Sequence, residues 1–186
     1  YLALRESPPA QFFAQLVTAF EAAKRDPRIV GINIVQAEDG AGALRDYDLH
    51  MKMLNFLHAK YPKVHLSLHA GELAPSSVAR DALRFHIRHA VEIGQAERIG
   101  HGVDIAHEDN PMQLMKEIAD KNILVEINLT SNKTLLGIEG EAHPFLYYLH
   151  HNVPVALSTD DEGILRTDLT REYVRAVQTY HLDYAT

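Results

Sequence analysis

The amino-acid sequence predicts an α/β fold in which parallel strands alternate with helices. Two observations carry the fold class. Five short apolar runs, Ile29–Val35, Val64–Leu68, Arg98–Gly100, Ile123–Leu129 and Val155–Ser158, are separated by stretches with helical spacing. Alternation of this kind implies a parallel sheet with right-handed crossovers. A third observation narrows the choice. Three of the runs lead straight into polar, metal-competent side chains: His69-Ala70-Gly71-Glu72, Gly100-His101-Gly102 and Ser158-Thr159-Asp160-Asp161. Doubly wound and barrel folds both fit the order of elements. Functional groups at several C-terminal strand ends favour a (β/α) barrel of TIM type. Five strands do not close an eight-stranded barrel. The fold is therefore an open sheet or an incomplete barrel.

The elements follow from local pattern. Ser7-Pro8-Pro9 reads as a helix start, with Ser7 as N-cap and proline in the first turn. Phe12, Phe13, Leu16, Phe20 and Ala23 then recur at helical spacing. Ile29–Val35 is almost continuously apolar, as in a strand buried on both faces. A second helix is expected from Leu44 to Tyr61, with Leu49, Met53, Phe56 and Leu57 inside and Pro62 ending it. One helix is expected from Val78 to Ile93, with Gly94 as its stop. Asp109-Asn110-Pro111 starts another, with Leu114, Met115 and Ile118 inward. Thr130-Ser131-Asn132 follows the fourth strand. Pro144–His151 reads as a short helix, and Asp168 opens a last one reaching Tyr180.

The chain has 186 residues and fits a single domain, 1–186. No linker, low-complexity segment or repeat breaks it. The net charge of -7 argues against a nucleic-acid partner, since phosphate binding wants clustered Lys and Arg. No run approaches the roughly 18 apolar residues of a membrane span. The absence of Cys excludes disulfides and thiolate metal sites but leaves the compartment open. The chain opens on Tyr1, not Met, and is read as a piece of something longer.

His69 at a strand terminus is suited to present neutral imidazole to a divalent metal. Glu72, three residues on and past a glycine, is placed to fold back over the same site as general acid or base. His101 sits between two glycines, which permits close approach to a ligand; a tight turn around a buried histidine fits equally. Asp160 and Asp161 are costly to bring together without a cation, though an Asp pair also suits a helix cap. A barrel would converge all three segments within one mouth.

These segments resemble the adenosine deaminase family. His69-Ala70-Gly71-Glu72, Arg98-Ile99-Gly100-His101-Gly102 and Ser158-Thr159-Asp160-Asp161 match its three C-terminal motifs in order. Ser131-Asn132 and His143-Pro144-Phe145 match weaker family positions between them. The stretches Asn33–Asp39 and Ser131–Leu136 are similar to the secreted, growth-factor-related branch. The resemblance covers about Ile29 to Gly163 and implies an eight-stranded barrel with one zinc. It implies His69 and Asp160 as zinc ligands and Glu72 as proton donor to purine N1. His101 would assist the attacking water, and Asp161 would accept a hydrogen bond from purine N7. The implied reaction is hydrolytic deamination of adenosine or deoxyadenosine.

The sequence departs from the family in three ways. The family's first strand ends in a His-x-His pair that supplies two more zinc ligands, and no His-x-His occurs here. His86, His89, His150 and His151 fall in helical segments and read as surface residues. Gln36 stands where a loop glycine usually contacts the purine. The end past the last helix also reads as short. The expectation is an incomplete barrel with about five of eight β/α units, part of an enzyme and inactive alone. Its outer runs, Ile29–Val35 and Val155–Ser158, would be open edges suited to self-association or to pairing with the missing part. Two other readings stay open: a related hydrolase acting on another adenine compound, and a non-catalytic barrel fragment.

Overall fold

The computed structural model describes residues 1–183. Its first half holds β1 (Leu2–Leu4), α1 (Pro9–Arg25), β2 (Asn33–Val35), α2 (Ala41–Lys60), β3 (Ser67–Ala70) and α3 (His86–Glu92). The second half runs β4 (Arg98–His101), α4 (Pro111–Asp120), β5 (Leu124–Ile127), α5 (Leu129–Leu136), α6 (Phe145–His150), β6 (Val155–Leu157), α7 (Glu162–Leu165) and α8 (Leu169–Tyr180). Every strand pairing is parallel. β1 pairs with β2, and β3, β4, β5 and β6 form a second ladder in that order. A parallel bridge from Ile32 to Leu66 joins the two.

Spatial order therefore equals chain order. A doubly wound sheet reverses its strand order at a switch point. No reversal occurs among the described strands, which leaves the barrel-type winding. Six strands leave the barrel partial.

The pleat sorts residues by face. Leu68 and Ala70 on β3, Ile99 on β4, and Val125 and Ile127 on β5 are fully buried. They meet Leu16, Phe20, Met51, Leu54, Ile87, Leu114, Met115 and Ile118 in one core. Full burial of each large side chain contributes about 1.5–3 kcal/mol. The alternate residues Ser67, His69, Leu124 and Glu126 are only partly buried. On that face Arg98 and Glu126 pair across β4 and β5 at 2.6 Å.

Several sequence expectations hold. Phe12, Leu16 and Phe20 are buried on α1, and Leu114, Met115 and Ile118 on α4. Asp168 caps α8, its carboxylate accepting from the Arg171 N–H at 2.9 Å.

Others are corrected. A strand, β1, precedes the first helix. Three residues including an alanine are too few to show a period. β2 is consequently no edge, because β1 covers it. β6 pairs only with β5 among the described strands, so that edge stays open. Ser7 is not a capping side chain: Pro8 holds the cap position, and Ser7 Oγ accepts from Gln15 Nε2. On α2 the buried face is Tyr47, His50, Met51, Leu54 and Leu57, while Leu49 and Phe56 are exposed. The inner face includes a histidine and a tyrosine, which misled the apolar stripe.

The single helix expected over Val78–Ile93 is two pieces, a 3-10 turn at Arg80–Arg84 and α3. The Glu108 carboxylate accepts from the Ile87 and Arg88 N–H groups at 2.6 and 3.2 Å, so a distant acid caps α3. Thr130-Ser131-Asn132 is helical, within α5. The buried Glu172 of α8 accepts from the Thr130 N–H at 3.1 Å and caps it in the same way.

Candidate active site

His69 is the penultimate residue of β3, His101 ends β4, and Asp160 follows β6. Glu72 lies three residues past His69. Parallel pairing sets Ala70 beside His101, which brings the two motifs together. The His69 and His101 rings lie 5.0 Å apart, tilted by 47°. One donor atom each from His69, His101 and Asp160 falls within 4.8 Å of the others. Glu72 Oε1 is 3.5 Å from His101 Nδ1, and Asp160 Oδ2 is 4.0 Å from His101 Nε2. Asp161 is apart from this group: it is exposed, at the start of α7.

Backbone geometry turns these side chains inward. His101 and Asp160 both adopt left-handed φ, 73° and 55°. Such conformations are uncommon outside glycine and cluster at functional sites. Gly71 has φ 79°, and a Cβ there would lie 2.6 Å from Asp104 Oδ1 and 2.7 Å from the Ile87 side chain. Only glycine fits, which explains the Gly between His69 and Glu72.

His69 is held in one neutral form. Its own N–H donates to Asn33 Oδ1 at 3.1 Å, which fixes the oxygen end of that amide. His69 Nδ1 lies 3.0 Å from the same oxygen and must therefore carry the proton. Nε2 is left with its lone pair free. Burial, then the Arg5 charge, pushes the His69 pKa down and favours neutral imidazole. Neutral histidine and a carboxylate are the ligands a borderline divalent cation such as zinc prefers. The donor chemistry thus fits a metal.

Glu72 is nearly buried, and Oε1 has no hydrogen-bond partner among the described residues. Burial first, then the charges of Glu38 and Asp160, raises its pKa to about 8. It is a carboxylic acid at neutral pH, as a proton donor must be. Asp160 Oδ2 accepts from Ser131 Oγ at 2.7 Å. Burial, then the neighbouring His69, lowers His101 to about 3.

Beneath this group lies a network that the sequence did not reveal. The Glu38 carboxylate accepts from the Gly71 and Glu72 N–H groups at 3.0 and 2.9 Å. His86 Nδ1 is 2.6 Å from Glu38 Oε1. Arg5 Nη1 is 3.8 Å from Glu38 Oε2, and Arg5 Nη2 donates to the carbonyls of Ile34 and His69. Tyr47 stacks on His86 at 3.8 Å. Burial alone would raise the Glu38 pKa, but His86 and Arg5 outweigh it and hold the group far below its ordinary value. His86 is fully buried, not a surface residue. His89 and His151 are partly buried, and His150 is exposed.

Known proteins complete the picture. The family model for adenosine deaminase matches residues 3–186. The chain belongs to the adenosine deaminase family. It is 28% identical over 172 residues to an adenosine deaminase of Clostridium perfringens, covering 90% of this chain and 47% of that one. It is 36% identical over 143 residues to an adenosine deaminase of Escherichia coli, covering 76% of this chain and 40% of that one. Among solved structures, the Arabidopsis N6-mAMP deaminase superposes with a TM-score of 0.72 at 25% identity, over 99% of this chain and 49% of that one. Adenine deaminase from Arthrobacter aurescens gives 0.70 at 19% identity, over 98% and 50%. These neighbours are adenosine deaminase-like barrels, and the six parallel strands match as part of one. The chain spans about half the length of the relatives it matches.

Proposed function

We propose that this chain supplies the C-terminal part of a zinc-dependent barrel that hydrolytically deaminates adenosine or deoxyadenosine. The observation that carries the reading is Glu72: a mostly buried carboxyl group beside two histidines and an aspartate, all converging at the C-terminal ends of parallel strands. His69 Nε2 and Asp160 would hold the metal. When bound, the metal would act as a Lewis acid and lower the pKa of water towards ~7.

The chain's own residues account for the rest. Glu72 donates its proton to the purine ring nitrogen next to the amino-bearing carbon, which makes that carbon electrophilic. A water oxygen adds there; one of its protons passes to the departing amino group and the other returns to the Glu72 carboxylate, so the C–N bond breaks, ammonia leaves and the C–O bond becomes a carbonyl. His101, buried and 4.0 Å from Asp160, orients the adding oxygen. Asp161, exposed at the start of α7, would accept a hydrogen bond from the base. Ligands beyond His69 and Asp160 would come from segments outside the chain, so the 186 residues alone should turn over little substrate. The open edge of β6 and the outer edge of β1 are where such segments would pair.

One observation favours a second substrate within the same chemistry. Gln36 takes φ 85°, a conformation that favours glycine, and its Oε1 accepts from the Glu6 N–H at 3.0 Å. A side chain at a purine-contacting position suits another adenine compound, and one matched Arabidopsis structure is complexed with IMP. The decisive experiment follows ultraviolet absorbance of adenosine, deoxyadenosine, AMP, N6-methyl-AMP and adenine with the zinc-loaded intact protein. Turnover of adenosine well above the others supports the reading; turnover of none refutes it.

A further inference from the structure

Each ring nitrogen of His101 faces a polar partner, and which of them carries the proton decides what the ring offers the site. Asn128 does not settle this. Its Nδ2 lies 3.2 Å from His101 Nδ1, but its Oδ1 has no partner among the described residues, so the amide is free to turn. Asn132 is not free, because a chain of hydrogen bonds fixes it from the backbone. The Phe145 N–H donates to His143 Nδ1 at 3.2 Å. A backbone N–H can only donate, so His143 Nδ1 is the acceptor and Nε2 bears the hydrogen. His143 Nε2 lies 3.0 Å from Asn132 Oδ1, which sets the oxygen end of that amide. The NH2 end is then directed at His101 Nδ1, 3.0 Å away. His101 Nδ1 must accept, and the proton of the neutral ring sits on Nε2.

We infer that His143, acting through Asn132, is a positioning residue that locks His101 in the Nε2–H form, so that His101 presents a donor and not a lone pair to Asp160 and the reacting oxygen. The inference rests on the proposed deaminase reading for its catalytic meaning but not for its geometry. The two histidines at the strand ends are held in opposite tautomers. Asn33 leaves His69 with a free Nε2 lone pair, while Asn132 leaves His101 with an Nε2 hydrogen. One suits metal ligation and the other suits hydrogen-bond donation. His143 is buried and reaches His101 only through the Asn132 amide.

The test uses the intact protein with 15N-labelled histidine and long-range 1H–15N correlation spectra, which distinguish the two tautomers with or without metal. Wild-type His101 should show protonated Nε2 and unprotonated Nδ1. In His143→Phe the Asn132 amide is released, and the Nδ1–H form of His101 should appear. His143→Gln can still donate to Asn132 Oδ1 and should restore the wild-type pattern. Kinetically, His143→Phe should lower kcat about 10- to 100-fold with KM little changed, and His143→Gln should recover most of the loss. Protonated Nδ1 in the wild-type protein overturns the inference. So does a His143→Phe protein that folds and keeps both tautomer and kcat. A tautomer shift in a protein that deaminates no adenine compound would uphold the relay and refute the deaminase reading instead.

Discussion

The backbone N–H of Glu72 donates to Glu38 Oε2 at 2.9 Å, so one carboxylate holds the main chain that carries another. The lower acid is kept ionised by His86 and Arg5, and the upper one is kept protonated by burial. Removing Glu38 leaves the Arg5 guanidinium buried without its counter-ion. Breaking a buried charge pair from one side costs about 3–5 kcal/mol. Glu38→Ala should therefore lower unfolding free energy by about that amount, measured by chemical denaturation. The linkage has a definite sign. Because the folded pKa lies below the ordinary 4.5, Glu38 stabilises the fold above that value and loses its contribution as pH falls below it. Acid unfolding of Glu38→Ala should accordingly be shallower than wild type. A loss under 1 kcal/mol would show that the network is not structural, against an expectation of about 3–5.

Glu72 offers a catalytic test that separates chemistry from folding. It makes no side-chain hydrogen bond among the described residues, so Glu72→Gln should leave thermal stability close to wild type. The amide has no acidic proton to give. Loss of a positioned general acid lowers kcat by about 10²–10⁴-fold. In the wild type, the proton is held as pH rises until the raised pKa, about 8 in the metal-free site, is passed. A bound cation draws that value down, so kcat/KM should decline on an alkaline limb at or below about 8. A flat alkaline profile, or an active Glu72→Gln protein, would remove Glu72 from the proton-donor role.

Glu172 of α8 is fully buried and accepts from the Thr130 N–H, from Thr130 Oγ and from Thr167 Oγ at 2.8 Å. Thr130 precedes Ser131 and Asn132, which reach Asp160 and His101. Glu172→Ala strips the N-terminus of α5 of its cap and strands two hydroxyls. The expected destabilisation is about 2–4 kcal/mol. Activity should fall as well, because α5 positions two groups of the site. Denaturation curves and kcat measured on the same preparation check both. A Glu172→Ala protein with full activity would mean that α5 is held by its apolar contacts alone.

How much of this was legible in the sequence depends on where each signal lives. Parallel α/β winding is written in the alternation of runs, and His69, Glu72, His101 and Asp160 converge because strand ends converge. Order along the chain could not separate a doubly wound sheet from a barrel, since that is decided by pairing. β1 leaves no signal in the sequence because three residues show no period. The α2 face differs from the apolar stripe because Tyr47 and His50 are buried on it. Glu38, Arg5 and His86 lie 33 or more residues apart on the chain, and only the fold makes them one network. Glu38 sat in plain view within a polar loop, and nothing local marks a carboxylate that will accept two N–H groups of another loop.

The opposite tautomers of His69 and His101 lead to a last prediction, about metal affinity. His69 presents Nε2 as a free lone pair, fixed by Asn33, whereas the hydrogen bonds around His101 put a proton on its Nε2. Removing a ligand and removing a neighbouring donor should therefore differ in metal content, although both lower turnover. In the intact protein, His69→Ala should lose bound zinc on dialysis against a weak chelator. His101→Ala should retain it close to wild-type stoichiometry while kcat falls. Asn33→Leu should resemble His69→Ala in kind but be weaker, since an outer partner typically changes metal affinity about 10- to 100-fold. Elemental analysis of dialysed protein reads all three. Equal metal loss in the two histidine variants would make His101 a ligand, and the tautomer assignment at that ring would then be wrong.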